Sequence, residues 1–99
     1  MKLSIVIPVY NEITTLEQIL AEVESIEIPN VEEEVVLVDD ASTDGTREVL
    51  KDLEATRSDL KIYFHSVNQG KGASLRDGFR LTTGDYVIVQ DADLEYDPQ

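Results

Sequence analysis

Cysteine is absent from the 99 residues, which excludes disulfide frameworks and thiolate metal sites. Long apolar runs are missing as well, and none approaches the roughly 18 residues that a membrane-spanning helix needs. The opening Met1-Lys2-Leu3-Ser4-Ile5-Val6-Ile7-Pro8 is too short, and too soon broken by Pro8, to read as a signal peptide. Basic residues are scarce: 8 Lys+Arg stand against 21 Asp+Glu, for a formal net charge of −13. Such a chain repels phosphate backbones, so unaided binding to nucleic acid is not expected. A phosphate ligand would need a cation between itself and these carboxylates. Much of the acidity lies in Glu32-Glu33-Glu34 and on helix surfaces, where it reads as a solvated face. No linker, repeat or low-complexity stretch divides the chain. A single cytoplasmic domain is the simplest expectation.

What is present is an alternation. Four short runs rich in Val and Ile, Leu3–Val9, Val35–Val38, Ile62–Phe64 and Tyr86–Val89, read as strands buried on both faces. Between them lie helical patterns. Leu16, Ile19, Leu20 and Val23 keep one face, and Thr14 with Glu17 makes a candidate capping box. Thr46, Val49, Leu50 and Leu53 repeat that spacing after a polar Ser42-Thr43-Asp44-Gly45 turn, in which Ser42 and Asp44 read as helix caps. A third helix is expected from about Gly72 to Leu81, with Gly84 as its terminator. Strand and helix in turn imply right-handed crossovers and a mostly parallel sheet with helices on both faces, an α/β Rossmann-like three-layer sandwich.

In such a sheet, ligands gather outside the carboxyl ends of the strands. The polar residues fall there: Tyr10-Asn11-Glu12, Asp39-Asp40, Asn68 to Lys71, and Asp91 to Glu95. Asp91-Ala92-Asp93 can turn two carboxylates toward one cation if the backbone bends at Ala92, and Glu95 can add an oxygen. Oxygen ligands of this kind suit Mg²⁺ or Mn²⁺. An acidic loop is the competing reading. Asp40 can accept from a ribose hydroxyl or a base N–H, or it can cap the following turn. Asn68-Gln69-Gly70-Lys71-Gly72 has the look of a phosphate cradle, with Lys71 and Arg76 as its nearest cations, though it matches no standard fingerprint. His65, alone at a strand end, reads as structural or solvent-facing rather than catalytic.

Taken together, "IVIPVYNE", "VVLVDDASTDGT", "HSVNQGKGASLRDG" and "GDYVIVQDADLEYDP" resemble the donor-binding half of a family-2 glycosyltransferase of the GT-A fold. The flavour is that of the dolichol- or polyprenyl-phosphate sugar synthases. The resemblance implies the strand order 3-2-1-4. It also implies an inverting transfer from a nucleoside diphosphate sugar, GDP- or UDP-linked, to an acceptor such as a polyprenyl phosphate or a saccharide. Pro8, Tyr10 and Glu12 match positions lining base and ribose; Val38 and Asp40 match a base-contacting pair, with Asp39 beside them. Lys71 and Arg76 match cations near the diphosphate. Asp91, Ala92 and Asp93 match the Asp-x-Asp element, and Glu95 stands where glutamine is frequent. Ala41 stands where glycine is frequent, a mild departure.

Members of that family continue for another hundred residues or more. Residues 1–99 are therefore expected to be the donor-binding first part of a transferase domain, cut after the Asp-x-Asp motif, with the acceptor base elsewhere and no transfer by this chain alone. Tyr86–Val89 would then be an exposed edge, expected to support a homodimer. Two other readings stand beside this one. A receiver-like, Mg²⁺-dependent phosphoacceptor module would also use an acidic pair and a later aspartate, and a bare interaction module would bind no nucleotide.

Overall fold

The structure is a computed structural model that describes residues 1–26 and 28–90. Its elements are β1 (Lys2–Val9), α1 (Leu16–Glu24), β2 (Glu32–Asp39), α2 (Thr46–Thr56), β3 (Leu60–Phe64), α3 (Lys71–Leu81) and β4 (Tyr86–Val89). The four strands are parallel and lie in the order β3-β2-β1-β4. This is the expected order and the expected sandwich. Crossovers of one hand explain the layers. The first two step outward from β1 to β3 and place α1 and α2 on one face. The third returns across the sheet to β4 and places α3 on the other.

Side-chain alternation along the strands fills the two layers separately. Ile5, Ile7, Val9 and Leu37 face α1 and α2, packing with Leu16, Ile19, Leu20, Val23 and Leu50. Val6, Val36 and Val38 face α3 and pack against Leu75 and Leu81. Burial on both faces holds for β1 and most of β2, the central strands. It fails for β4, whose Tyr86, Val87, Ile88 and Val89 are all exposed, and for alternate residues of β3. Both are edge strands among the described residues, so only one of their sides is paired. Gly78 lets α3 lie close against the sheet, since a Cβ there would stand 2.6 Å from Val6 Cγ1.

Three local expectations are corrected. Glu34 is not part of a solvated face: it is buried at the amino end of β2. Ser4 Oγ donates to its Oε1 at 2.6 Å, Thr83 N donates to the same oxygen at 2.8 Å, and Lys61 Nζ reaches Oε2 at 2.6 Å. Burial by itself would raise this carboxyl, but the donors outweigh it and hold it at about 2. The capping box at Thr14 and Glu17 does not form; the N-cap is Thr15, without a side-chain cap bond. Gly84 does not terminate α3, which begins at Lys71 and ends at an extended Thr82. It is glycine for a steric reason, because a Cβ would stand 2.5 Å from Ser4 Oγ and 2.9 Å from Lys2 O. Among the described residues, no helix is long and apolar enough to cross a membrane.

Candidate functional site

The site lies at the carboxyl edge, where the loops after β1 and β2 are laced together. Asn11 and Ala41 both take left-handed backbone conformations, with φ of 52° and 64°. For Ala41 that fits the glycine which the resemblance implies at this position, since an L side chain there is strained. Asn11 N donates to Ser42 Oγ at 2.9 Å, and Thr43 N donates to Asn11 Oδ1 at 2.7 Å. Glu12 N donates to Thr46 Oγ1 at 3.0 Å and Ile13 N to Asp44 Oδ2 at 3.2 Å. Ser42 therefore holds the first loop rather than capping α2. Asp44 is not the cap either: the N-cap of α2 is Gly45, and Asp44, one residue before it, accepts from Thr46 N at 3.0 Å through Oδ1 while its Oδ2 holds the first loop.

The lacing leaves a cleft of about 390 Å³ lined by Pro8, Val9, Tyr10, Glu12, Asp40, Asn68, Gly70, Lys71 and Ser74. Seven of the residues singled out in the sequence meet here: Pro8, Tyr10, Glu12, Asp40, Asn68, Gly70 and Lys71. Asp40 is its buried anion. Gln69 N donates to Oδ1 at 2.8 Å, Gly70 N to Oδ2 at 2.9 Å, and Asn68 Nδ2 to the Asp40 carbonyl at 3.2 Å. Two amides of the supposed phosphate cradle are thus occupied by Asp40, which sits at the start of α3 where the helix favours negative charge. Burial pushes its carboxyl up, but Gln69, His65 and Gly70 outweigh it and hold it below the usual range. Gly70 meets these demands with φ of 95°, where a side chain would be strained.

Three expected residues lie elsewhere. Val38 is fully buried beneath α3 in the core layer with Val6 and Val36, so its side chain is not offered to the cleft. Asp39 points to the other face, as alternation along a strand requires. Its Oδ2 accepts from Ser42 N at 3.3 Å and lies 3.6 Å from Arg47 Nη1, while its buried Oδ1 has no hydrogen-bond partner among the described residues. Arg76 is largely exposed, with Nε 3.5 Å from Asp77 Oδ1, and does not line the cleft. Sequence reasoning passed over Val9 and Ser74. Ser74 faces inward one turn after Gly70 and carried no signal beyond helical spacing.

His65 is buried, and its two nitrogens lie 2.8 Å from Asp40 Oδ1 and 2.8 Å from Asp77 Oδ2. The structural reading of this residue holds, and the solvent-facing one does not. Asp91, Ala92, Asp93 and Glu95 lie outside the described residues. Among the described residues, no group of acidic or imidazole side chains is placed to hold a metal. β4 runs parallel to β1 and ends at Val89, with Gln90 N donating to Val6 O at 2.9 Å, so the strand that precedes the Asp-x-Asp element ends on the cleft side of the sheet.

The glycosyl transferase family 2 model matches residues 4–99. The chain belongs to glycosyl transferase family 2. Among its family relatives, the dolichol-phosphate mannosyltransferase of Pyrococcus furiosus is 32% identical over all of this chain and 28% of its own length. The Staphylococcus aureus TarS structure in complex with UDP is 30% identical with a TM-score of 0.80, over 94% of this chain and 28% of that one. A Pyrobaculum calidifontis mannosyltransferase, solved with GDP-Man and Mn²⁺, is 33% identical with a TM-score of 0.77, over 92% of this chain and 27% of that one. The chain thus spans under a third of the length of each of these three chains. The divergence of Asp39 and Asp40 onto opposite faces also argues against the receiver-like module, which needs an acidic pair turned to one cation.

Proposed function

We propose that these residues form the donor-binding part of an inverting glycosyltransferase that takes a sugar from a nucleoside diphosphate sugar, GDP- or UDP-linked. The observation that carries this is the Asp40 cleft: a buried, ionised acceptor held beside Pro8 and Tyr10 at the carboxyl edge of a family-2 sheet. Asp40 has three donors on its carboxylate, where about four can be accommodated, leaving capacity for a base N–H or ribose hydroxyl. Tyr10 is half-exposed and offers a ring face to the base. Lys71, at the first turn of α3, stands where a diphosphate could meet both a cation and helix amides. Arg76 would have to leave Asp77 to join it. Any contribution from Val38 would come from its backbone.

Asp91, Asp93 and Glu95 are an all-oxygen donor set of the kind that holds Mg²⁺ or Mn²⁺, with Ala92 between the first two in sequence. A metal bound there would neutralise charge developing on the departing diphosphate. The acceptor, a polyprenyl phosphate or a saccharide, and the base that activates it belong to chain beyond these residues in the relatives' length. Residues 1–99 alone should bind donor without transferring sugar, because an unoriented acceptor forfeits a positional contribution of roughly 7–11 kcal/mol. The exposed β4 edge is a template for pairing, and a homodimer through it is part of the proposal.

Calorimetric titration with GDP and UDP, in Mn²⁺ and in chelator, tests the reading. Binding should be weak and should need the metal, since an acidic site and an anionic ligand repel. Equal binding in chelator would remove the metal role, and no binding of either nucleotide under any condition would remove the donor reading.

A further inference from the structure

His65 sits behind the cleft rather than in it, and its surroundings demand more of it than packing. It is 2% exposed, with Nδ1 2.8 Å from Asp40 Oδ1 and Nε2 2.8 Å from Asp77 Oδ2. Ionised carboxylates only accept, and a neutral imidazole has one N–H to give. Both contacts can be hydrogen bonds only if the ring is an imidazolium. A neutral ring would set a lone pair against a carboxylate oxygen inside the protein, where such a clash is costly.

We propose that His65, kept as an imidazolium by Asp77, is a positioning residue that fixes the Asp40 carboxylate in the cleft and ties it to α3. The inference rests on the reading of Asp40 as a nucleotide contact. Three donors from three directions define the orientation of that carboxylate: the Gln69 and Gly70 amides at the start of α3, and the His65 ring from beneath. The two amides come from a loop whose own position depends on α3. Asp77 lies on that helix, so the imidazolium joins the carboxylate to the helix that presents the amides.

The charged groups around the ring agree on the sign. From the end of β2 comes Asp40, and from α3 comes Asp77, itself 3.5 Å from Arg76 Nε and 3.5 Å from Arg80 Nη1. From α2, Arg47 Nη1 donates to the His65 carbonyl at 3.1 Å, turned toward the backbone and toward Asp39 rather than the ring. From β3, Tyr63 meets the ring edge-on at 5.6 Å. Two anions in direct contact with the ring outweigh three cations that meet only Asp77 or the backbone. Burial disfavours the charged ring, yet the bonds to Asp40 and Asp77 overcome it and raise its pKa. The cation is therefore present below the ordinary histidine value and is lost as pH rises through the raised one. With it goes one of the two bonds.

The chain has a single histidine, so its ring resonances in a ¹H–¹⁵N spectrum need no assignment. The test is that spectrum, with and without UDP and Mn²⁺, together with UDP affinity in Mn²⁺ across the histidine range for the unaltered chain, Asp77→Asn and His65→Gln. The unaltered ring should carry protons on both nitrogens at neutral pH and titrate above an ordinary histidine. Asp77→Asn should bring that titration down. UDP affinity of the unaltered chain should fall about tenfold as the ring deprotonates, the scale of one well-placed hydrogen bond. The fall should move to lower pH in Asp77→Asn and vanish from His65→Gln. The diphosphate's own titration is common to all three, so the differences between profiles are what is read. A ring that is neutral at neutral pH would overturn the proposal. So would UDP binding whose profile is the same in all three proteins, which would leave the donor reading intact. Failure of UDP and GDP to bind while the ring titrates as expected would instead strike the donor reading, and the positioning role with it.

Discussion

Replacing Glu34 by glutamine removes one charge from the amino edge of the sheet, far from the cleft, and the structure sets the cost. The carboxylate joins Ser4 of β1, Lys61 of β3 and Thr83 of the α3–β4 turn to β2. Its pKa stands at about 2 against an ordinary 4.5. At 1.36 kcal/mol per pH unit, the ionised form contributes about 3 kcal/mol at neutral pH. Lys61 is half-exposed and can return to water, which trims the cost of Glu34→Gln to about 2–3 kcal/mol. For a domain of this size that is a fall in Tm of about 10–20 °C. The sign in pH follows from the direction of the shift. A lowered carboxyl contributes fully above its unfolded value and loses that contribution as pH falls toward its folded one. Urea denaturation should therefore show the full gap at neutral pH and roughly half of it at about pH 3. A variant within about 0.5 kcal/mol of the unaltered chain at neutral pH, or a gap unchanged by acid, would refute the reasoning. The anchor also bears on function, because Thr83 and Gly84 set the register at which β4 enters beside β1.

Gly78→Ala should cost about 1–3 kcal/mol in chemical denaturation, because the new Cβ meets the buried, β-branched Val6 at 2.6 Å. Ala41→Gly should stabilise by about 0.5–1 kcal/mol, relief of left-handed strain exceeding the added chain entropy, and a loss of stability would contradict the assigned backbone. In the nucleotide titration, Asp40→Asn should weaken binding about tenfold even at saturating Mn²⁺, whereas Asp93→Ala should abolish the metal dependence. If the chain self-associates through β4, sedimentation at rising concentration will show it and Val87→Lys will dissolve it; a dimer indifferent to that change has its interface elsewhere.

The sequence by itself determined the alternation of strands and helices, the parallel sheet and the edge at which polar residues collect. These follow from periodicity and local turn chemistry, which act over a few residues. The motif resemblance added the strand order and the family, and Pro8, Tyr10, Glu12, Asp40 and Lys71 were legible as a group because each stands at or near a strand end. Tertiary structure decided what depends on partners distant in the chain. Glu34 reads as solvated because its two acidic neighbours suggest a surface, and only Ser4, Lys61 and Thr83, brought in by three other segments, make it a buried anchor. Asp39 and Asp40 are adjacent letters that alternation sends to opposite faces, one toward Arg47 and the other into the cleft. The Gln69 and Gly70 amides suggest a phosphate cradle until the fold supplies an Asp40 carboxylate to occupy them. His65 is a lone letter in the sequence, and its charge is set by two carboxylates, 25 residues before it and 12 after it, that only folding brings into contact.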